Sequence, residues 1–195
     1  MSAPIRRQLR PFAPLPGLED LALAVELVRQ PHGLALTYRL TGPVEGLVLP
    51  AAAEPPERRD GLWQSTCLEL FVAEAGRSGY RELNLCPSGH WNLYQLDGYR
   101  QGLRPDPALT ALPLVVRHRP GSLVVAVDLP LTPLGLAGRP LELGLTAVLD
   151  GGQAAGIGYW ALHHPAPEAD FHHRGGFVLQ LPPLPAERTS EPAAA

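Results

Sequence analysis

Leu62-Trp63-Gln64-Ser65-Thr66-Cys67-Leu68-Glu69-Leu70-Phe71 and Tyr80-Arg81-Glu82-Leu83-Asn84-Leu85-Cys86-Pro87-Ser88-Gly89-His90-Trp91-Asn92-Leu93-Tyr94 decide the fold. Both stretches alternate with the period of a β-strand, and Pro87-Ser88-Gly89 separates the second into two arms. Proline suits the first corner of a type I turn, and glycine takes the left-handed position that closes a three-residue hairpin loop. That loop pairs Cys86 with His90, Asn84 with Asn92 and Glu82 with Tyr94. Leu83, Leu85, Trp91 and Leu93 then share one face, and Glu82, Asn84, Asn92 and Tyr94 share the other. The preceding strand fits the same division when Glu69 opposes Asn84 and Phe71 opposes Glu82, with Cys67 beside Cys86. Leu68, Leu70 and Val72 then join the apolar face. A slip of one residue would invert every side chain, so agreement between two hairpins fixes the inside.

Working outward, the alternation of Leu34, Leu36, Tyr38 and Leu40 predicts another strand. So do 112–118 and 122–129 about the Pro120-Gly121 turn, and 141–149, 156–162 and 176–181 further on. A short strand is expected at 46–50, and 21–28 reads as strand or short helix. One helical turn is expected at 132–136, where Thr132 caps and Pro133 takes the first position. The chain carries 23 prolines and 20 glycines, which leave no room for long helices. The expected architecture is all-β: a single antiparallel β-sandwich over 17–182, an N-terminal arm over 1–16 and a disordered Pro/Ala-rich tail over 183–195.

The net charge of −3 comes with no lysine at all, and the arginines are scattered. That pattern argues against a nucleic-acid partner. No stretch has the roughly 20 apolar residues of a membrane span, and Arg6, Arg7 and Arg10 are not followed by a secretory apolar region. With only Cys67 and Cys86, free thiols and a cytoplasmic location are expected.

The polar face offers acceptors and a phenol on a rigid sheet, an arrangement suited to a small polar ligand such as a sugar. Its plainer account is a solvated outer surface. Trp63, Trp91 and Trp160, with Tyr94, Tyr99 and Tyr159, are candidate stacking platforms; Trp91 falls on the core face, and Trp63 and Trp160 are the tryptophans expected at a ligand. Glu69 and Glu82 on neighbouring strands also have the residue types of a glycosidase pair, but no nucleophile elbow, phosphate loop or redox cysteine motif accompanies them. The expectation is a non-catalytic binding module, not an enzyme, with Trp63, Glu69, Glu82, Asn84, Asn92, Tyr94 and Trp160 as ligand-binding residues and no cofactor. The alternatives are a metal- or haem-binding module built on the loop 163–173, with His163, Asp170 and His172 as ligands, and a purely structural or interaction domain.

On these segments, together with Asp97-Gly98-Tyr99-Arg100, Tyr159-Trp160-Ala161-Leu162-His163-His164-Pro165 and Asp170-Phe171-His172-His173, the chain resembles the bacterial DOMON-like domains, relatives of the family-9 carbohydrate-binding modules. The resemblance implies a β-sandwich and a non-catalytic ligand-binding role. Related modules hold sugars between aromatic platforms ringed by polar side chains. Other DOMON domains bind haem through Met and His, and the sole methionine here is Met1.

Overall fold

The computed structural model describes residues 3–184. Among the described residues, twelve strands form one curled antiparallel sheet that folds over itself as a sandwich. They are β1 (Ile5–Pro11), β2 (Ala22–Arg29), β3 (Gly33–Thr41), β4 (Cys67–Glu74), β5 (Tyr80–Leu85) and β6 (Trp91–Leu96). After them come β7 (Arg104–Pro105), β8 (Leu114–Arg119), β9 (Ser122–Pro130), β10 (Leu141–Asp150), β11 (Ile157–Ala161) and β12 (Leu179–Leu181). One layer runs β1-β2-β3-β9-β8 and the other β7-β6-β5-β4-β10-β11. The first strand joins them. Ile5 to Leu9 pair with β2, whereas Arg10 and Pro11 pair with β11.

The two layers differ in how they meet water. In β2, β3 and β9 buried residues alternate with partly exposed ones, the pattern of a sheet solvated on one side. In β4 seven consecutive residues are buried, so the second layer is covered on both faces. Between the layers lies the main core, which includes Leu23, Leu36, Leu70, Leu83, Leu93 and Leu145, each at most 1% exposed. A smaller cluster of Phe71, Ala73, Tyr80, Tyr94, Leu96 and Phe177 lies on the far side of the second layer. Burying each such large side chain contributes about 1.5–3 kcal/mol, which is what holds the covering segment down.

The central register is the expected one. Asn84 opposes Asn92, Glu82 opposes Tyr94, Glu69 opposes Asn84 and Phe71 opposes Glu82. Gly89 adopts φ 96°, and the backbone N–H of Cys86 donates to His90 O at 2.9 Å, closing the three-residue loop. Cys67 and Cys86 are free, buried thiols.

Three expectations change. The stretch 46–50 is not a strand: a 3-10 turn at Val44–Gly46 precedes irregular backbone, tied by the Val48 N–H to Asp150 O at 2.7 Å. Within 1–16 the chain is not a loose arm but supplies β1, because strands on both sides satisfy its backbone. The segment 132–136 closes as a hydrogen-bonded turn around Gly135 and Leu136, short of a helix. Most of the expected tail lies outside the described residues.

Candidate functional site

Opposite the core, β4, β5, β6, β10 and β11 present a second set of side chains. The register aligns Asn92, Asn84, Glu69, Thr146 and Ala161 in one row. Tyr94, Glu82, Phe71 and Gly144 make the next row. This surface is not solvated. Glu69 is 2% exposed, Glu82 5%, Asn84 0% and Asn92 1%.

The cover arrives from both sides. Strands β11 and β12 pair with opposite ends of the same edge of β10, and the chain between them swings out over the polar face. Phe171 packs edge-on to Phe71 with ring centroids 6.5 Å apart, and His172 lies 5.2 Å from the same ring. Phe177 sits 5.6 Å from Phe71 above Gly144, where a Cβ would come within 3.1 Å of the phenyl ring. The excursion is pinned by His164 Nε2 to Arg10 O at 3.0 Å and by Arg174 Nε donating to Glu142 at 2.9 Å.

From the other side comes the loop before β4. Tyr94 Oη donates to Asp60 Oδ1 at 2.7 Å, and Asn92 Nδ2 donates to the same oxygen at 2.8 Å and to Arg59 O at 3.0 Å. Asn92 and Tyr94 thus anchor a loop rather than face open space. Beyond Gly61, in the left-handed region at φ 73°, the 3-10 turn Leu62–Gln64 delivers Trp63 edge-on to Tyr94, 5.7 Å between centroids.

Between the two covers a cleft of about 400 Å³ remains open. Glu69, Glu82 and Phe71 line its buried part. Trp63 and Tyr159, 38% and 42% exposed, line it nearer solvent, with Phe171, Arg100 and His172 also on its walls. Arg100 reaches the cleft from the tight turn Gly98–Gln101, where it takes φ 53°. A non-glycine residue in that region carries roughly 1 kcal/mol or more of strain and persists only where its surroundings hold it. Here Arg100 Nη2 meets Asp170 Oδ1 at 2.9 Å while Tyr99 Oη donates to Asp170 Oδ2 at 2.6 Å.

The electrostatics follow from burial. Loss of water pushes Glu69 well above the usual carboxylate range, and the neighbouring Glu82 pushes it further, against one hydrogen bond from Thr146 Oγ1 at 3.1 Å. Glu82 is also raised, chiefly by burial; Asn84 Nδ2, donating at 2.9 Å, and Arg100 counteract this. Burial and then Arg100 lower His172 to about 4. Although His172 Nε2 lies 3.8 Å from Glu82 Oε2, a neutral imidazole makes no ion pair there at neutral pH. The Arg100 N–H donates to Tyr80 Oη at 3.3 Å, and the same hydroxyl shares a hydrogen bond with His172 Nδ1 at 2.8 Å.

Of the residues singled out from sequence, Trp63, Glu69 and Glu82 meet in the cleft. Asn84 lies beneath it, holding Glu82 through its amide while its Oδ1 has no partner. Trp160 is a correction: it is 4% exposed in the main core, because β11 turns Tyr159 outward instead. The alternation along β11 carried that information, but its phase was not fixed. His163, Asp170 and His172 do not converge. Asp170 is taken by Tyr99 and Arg100, and His172 by Tyr80. No group of three or more potential metal ligands occurs among the described residues. Tyr159, a candidate platform by sequence, lines the cleft in the place expected of Trp160, whereas Arg100 and Phe171 reach it from positions that depend on segments distant in sequence.

Comparison of the structure with solved structures finds a candidate carbohydrate-binding protein from Bacteroides uniformis at TM-score 0.66 and 12% identity, covering 88% of this chain and 83% of that one. A family-9 carbohydrate-binding module from Caldicellulosiruptor kristjanssonii, solved with cellotriose, matches at TM-score 0.51 and 12% identity over 84% and 74%. The fold is a β-sandwich of the family-9 module type. At such identity the likeness concerns architecture. No family model matches the chain, and a search of curated proteins returned no match. Among the described residues no helix is long and apolar enough to cross a membrane.

Proposed function

We propose that this chain binds a saccharide in the cleft without transforming it. The observation that carries the reading is the pairing of buried acceptors with half-exposed rings: Glu69 and Glu82 deep in the cleft, Trp63 and Tyr159 above them. A sugar ring presents apolar CH faces to aromatic surfaces and hydroxyls to carboxyl groups, so both parts of the cleft find a counterpart. Fold likeness to sugar-binding modules, one of them solved with cellotriose, supports the same class. In this reading Trp63, Tyr159 and Phe171 contact the ring, and Glu69, Glu82 and Arg100 take its hydroxyls. Asn84, Asn92 and Tyr94 position those groups. The domain is DOMON-like, bacterial and cytoplasmic; two buried free thiols support a reducing compartment.

Intrinsic fluorescence tests this directly. Trp91 and Trp160 are 3% and 4% exposed, so Trp63 is the tryptophan a ligand in the cleft reaches. Titration with a panel of mono- and disaccharides is expected to give a saturable change, lost in Trp63→Phe. Trp63→Ala should weaken binding about tenfold or more, measured by calorimetry. No binding at millimolar sugar, or binding indifferent to both Trp63→Ala and Glu82→Gln, overturns the proposal.

A further inference from the structure

We infer that the cleft selects saccharides bearing a protonated amine over their neutral counterparts, an inference that rests on the saccharide reading above. Its basis is an unbalanced charge arrangement inside an aromatic enclosure.

Glu69 and Glu82 are both more than nine-tenths buried and both line the cleft. Among the described residues Glu69 accepts one hydrogen bond, from Thr146 to Oε2, and Glu82 accepts one, from Asn84 to Oε1. One oxygen of each carboxyl group is therefore left without a donor. Neither oxygen is fully enclosed by protein, so both open onto the cleft, where a ligand's donors can reach them.

The nearby cations fill that role only in part: Arg100 acts on Glu82, and no cation acts on Glu69. Arg100 is the cation lining the cleft among the described residues, and Asp170 holds its guanidinium at 2.9 Å. His172, the other nitrogen base facing Glu82, is kept neutral by burial and by Arg100. Tyr80 and Tyr94 on the adjoining strands keep their protons, since burial raises both. Cys67, on the same strand as Glu69, is likewise held neutral by burial. The walls are Trp63, Phe71, Tyr159 and Phe171, whose ring faces attract a cation through their quadrupoles. An ammonium group placed here gains both the missing countercharge and the aromatic faces, whereas a hydroxyl gains only a hydrogen bond.

Protonation gives a second, independent signature. Because burial raises both carboxyl groups, and Glu82 raises Glu69 further, a cation entering between them must shift them toward the ionised form. Binding of an ammonium is therefore coupled to proton release from the protein, and binding of a neutral sugar is not.

The experiment compares cellobiose with its counterpart carrying an amine at each C2, by calorimetry at pH 6 in two buffers of different ionisation enthalpy. The expected result is about tenfold tighter binding of the diamine and a net release of protons with that ligand alone. Glu69→Gln and Glu82→Gln should weaken the diamine more than cellobiose, bring the two affinities within about threefold and abolish the release, while the near-ultraviolet circular dichroism persists. Equal affinities, or tighter binding of cellobiose, overturn the amine inference and leave the saccharide reading standing. Failure of both disaccharides to bind removes both. Preference for the diamine without proton release, unchanged in both variants, also overturns the inference, because the carboxyl groups would not be its source.

Discussion

Replacing Tyr38 with phenylalanine should destabilise the protein by about 1–2 kcal/mol, at every pH between 6 and 9. Tyr38 lies in β3 between Val25 and Val125, fully buried, and its hydroxyl crosses the sandwich to donate to the backbone oxygen of Glu69 at 2.6 Å. The phenyl ring of the variant keeps the packing, so no large cavity opens and the cavity cost of an alanine substitution does not arise. What is lost is one buried hydrogen bond, whose net worth is about 0.5–1.5 kcal/mol, together with part of the desolvation cost of an acceptor that no substitution can remove because it is backbone. For a chain of this size the change corresponds to a fall in Tm of roughly 2–8 °C. Burial, with the nearby Glu69 and Cys67, keeps the Tyr38 phenol protonated well above its ordinary range, which is why the cost is flat with pH. Urea denaturation at pH 6, 7.5 and 9 measures it. A variant as stable as the parent, or a cost that varies strongly with pH, would refute the reasoning.

Two further predictions concern the cover of the cleft and its charges. Glu69 and Glu82 have folded-state values above their ordinary 4.5, so their contribution is fully present below that pH and is lost as pH rises through the raised values. His172, lowered to about 4, acts in the opposite sense, and its contribution is lost as pH falls from about 6.5 toward 4. Tm should therefore rise on acidification through the raised carboxyl values toward 4.5, with His172 opposing the rise below about 6.5. Glu69→Gln should flatten the alkaline limb and exceed the parent in Tm at pH 9, and an unchanged limb would contradict the assignment. Gly144→Val places a branched Cβ against Phe177 and Phe71, at 3.1 and 3.5 Å for the first carbon. It should cost about 1–3 kcal/mol in urea and speed proteolytic cleavage within 162–178.

The inside of this fold was legible because its rules are local. Pro87-Ser88-Gly89 sets the register of one hairpin, strict alternation sets the faces of three strands, and the contacts of Leu68, Leu83 and Leu93 obey both. The condition of the opposite face was not legible in the same way. Glu82 and Asn84 look like residues of a solvated sheet until Phe171 and His172 arrive, and nothing local to β5 announces them. The exchange of Trp160 for Tyr159 has a similar origin. Its strand is only five residues long, and a short alternation bounded by glycine on one side and histidines on the other does not show which phase faces the core. Ile5 and Leu9 are spaced too far apart to display a period; β1 is a strand because of what lies on either side of it.

That first strand also sets an order of events. Its partner β2 follows about ten residues on, but the edge that closes the other layer belongs to β11, some 150 residues later in the chain. On a ribosome the half-built sandwich must therefore wait with its seam unstitched. The aromatic wall contributed by Tyr159 and the roof contributed by Phe171 come with the same late segment. The cleft and the closed wrap thus mature together, and a nascent chain stalled before residue 157 would lack the Tyr159 and Phe171 walls of that cleft.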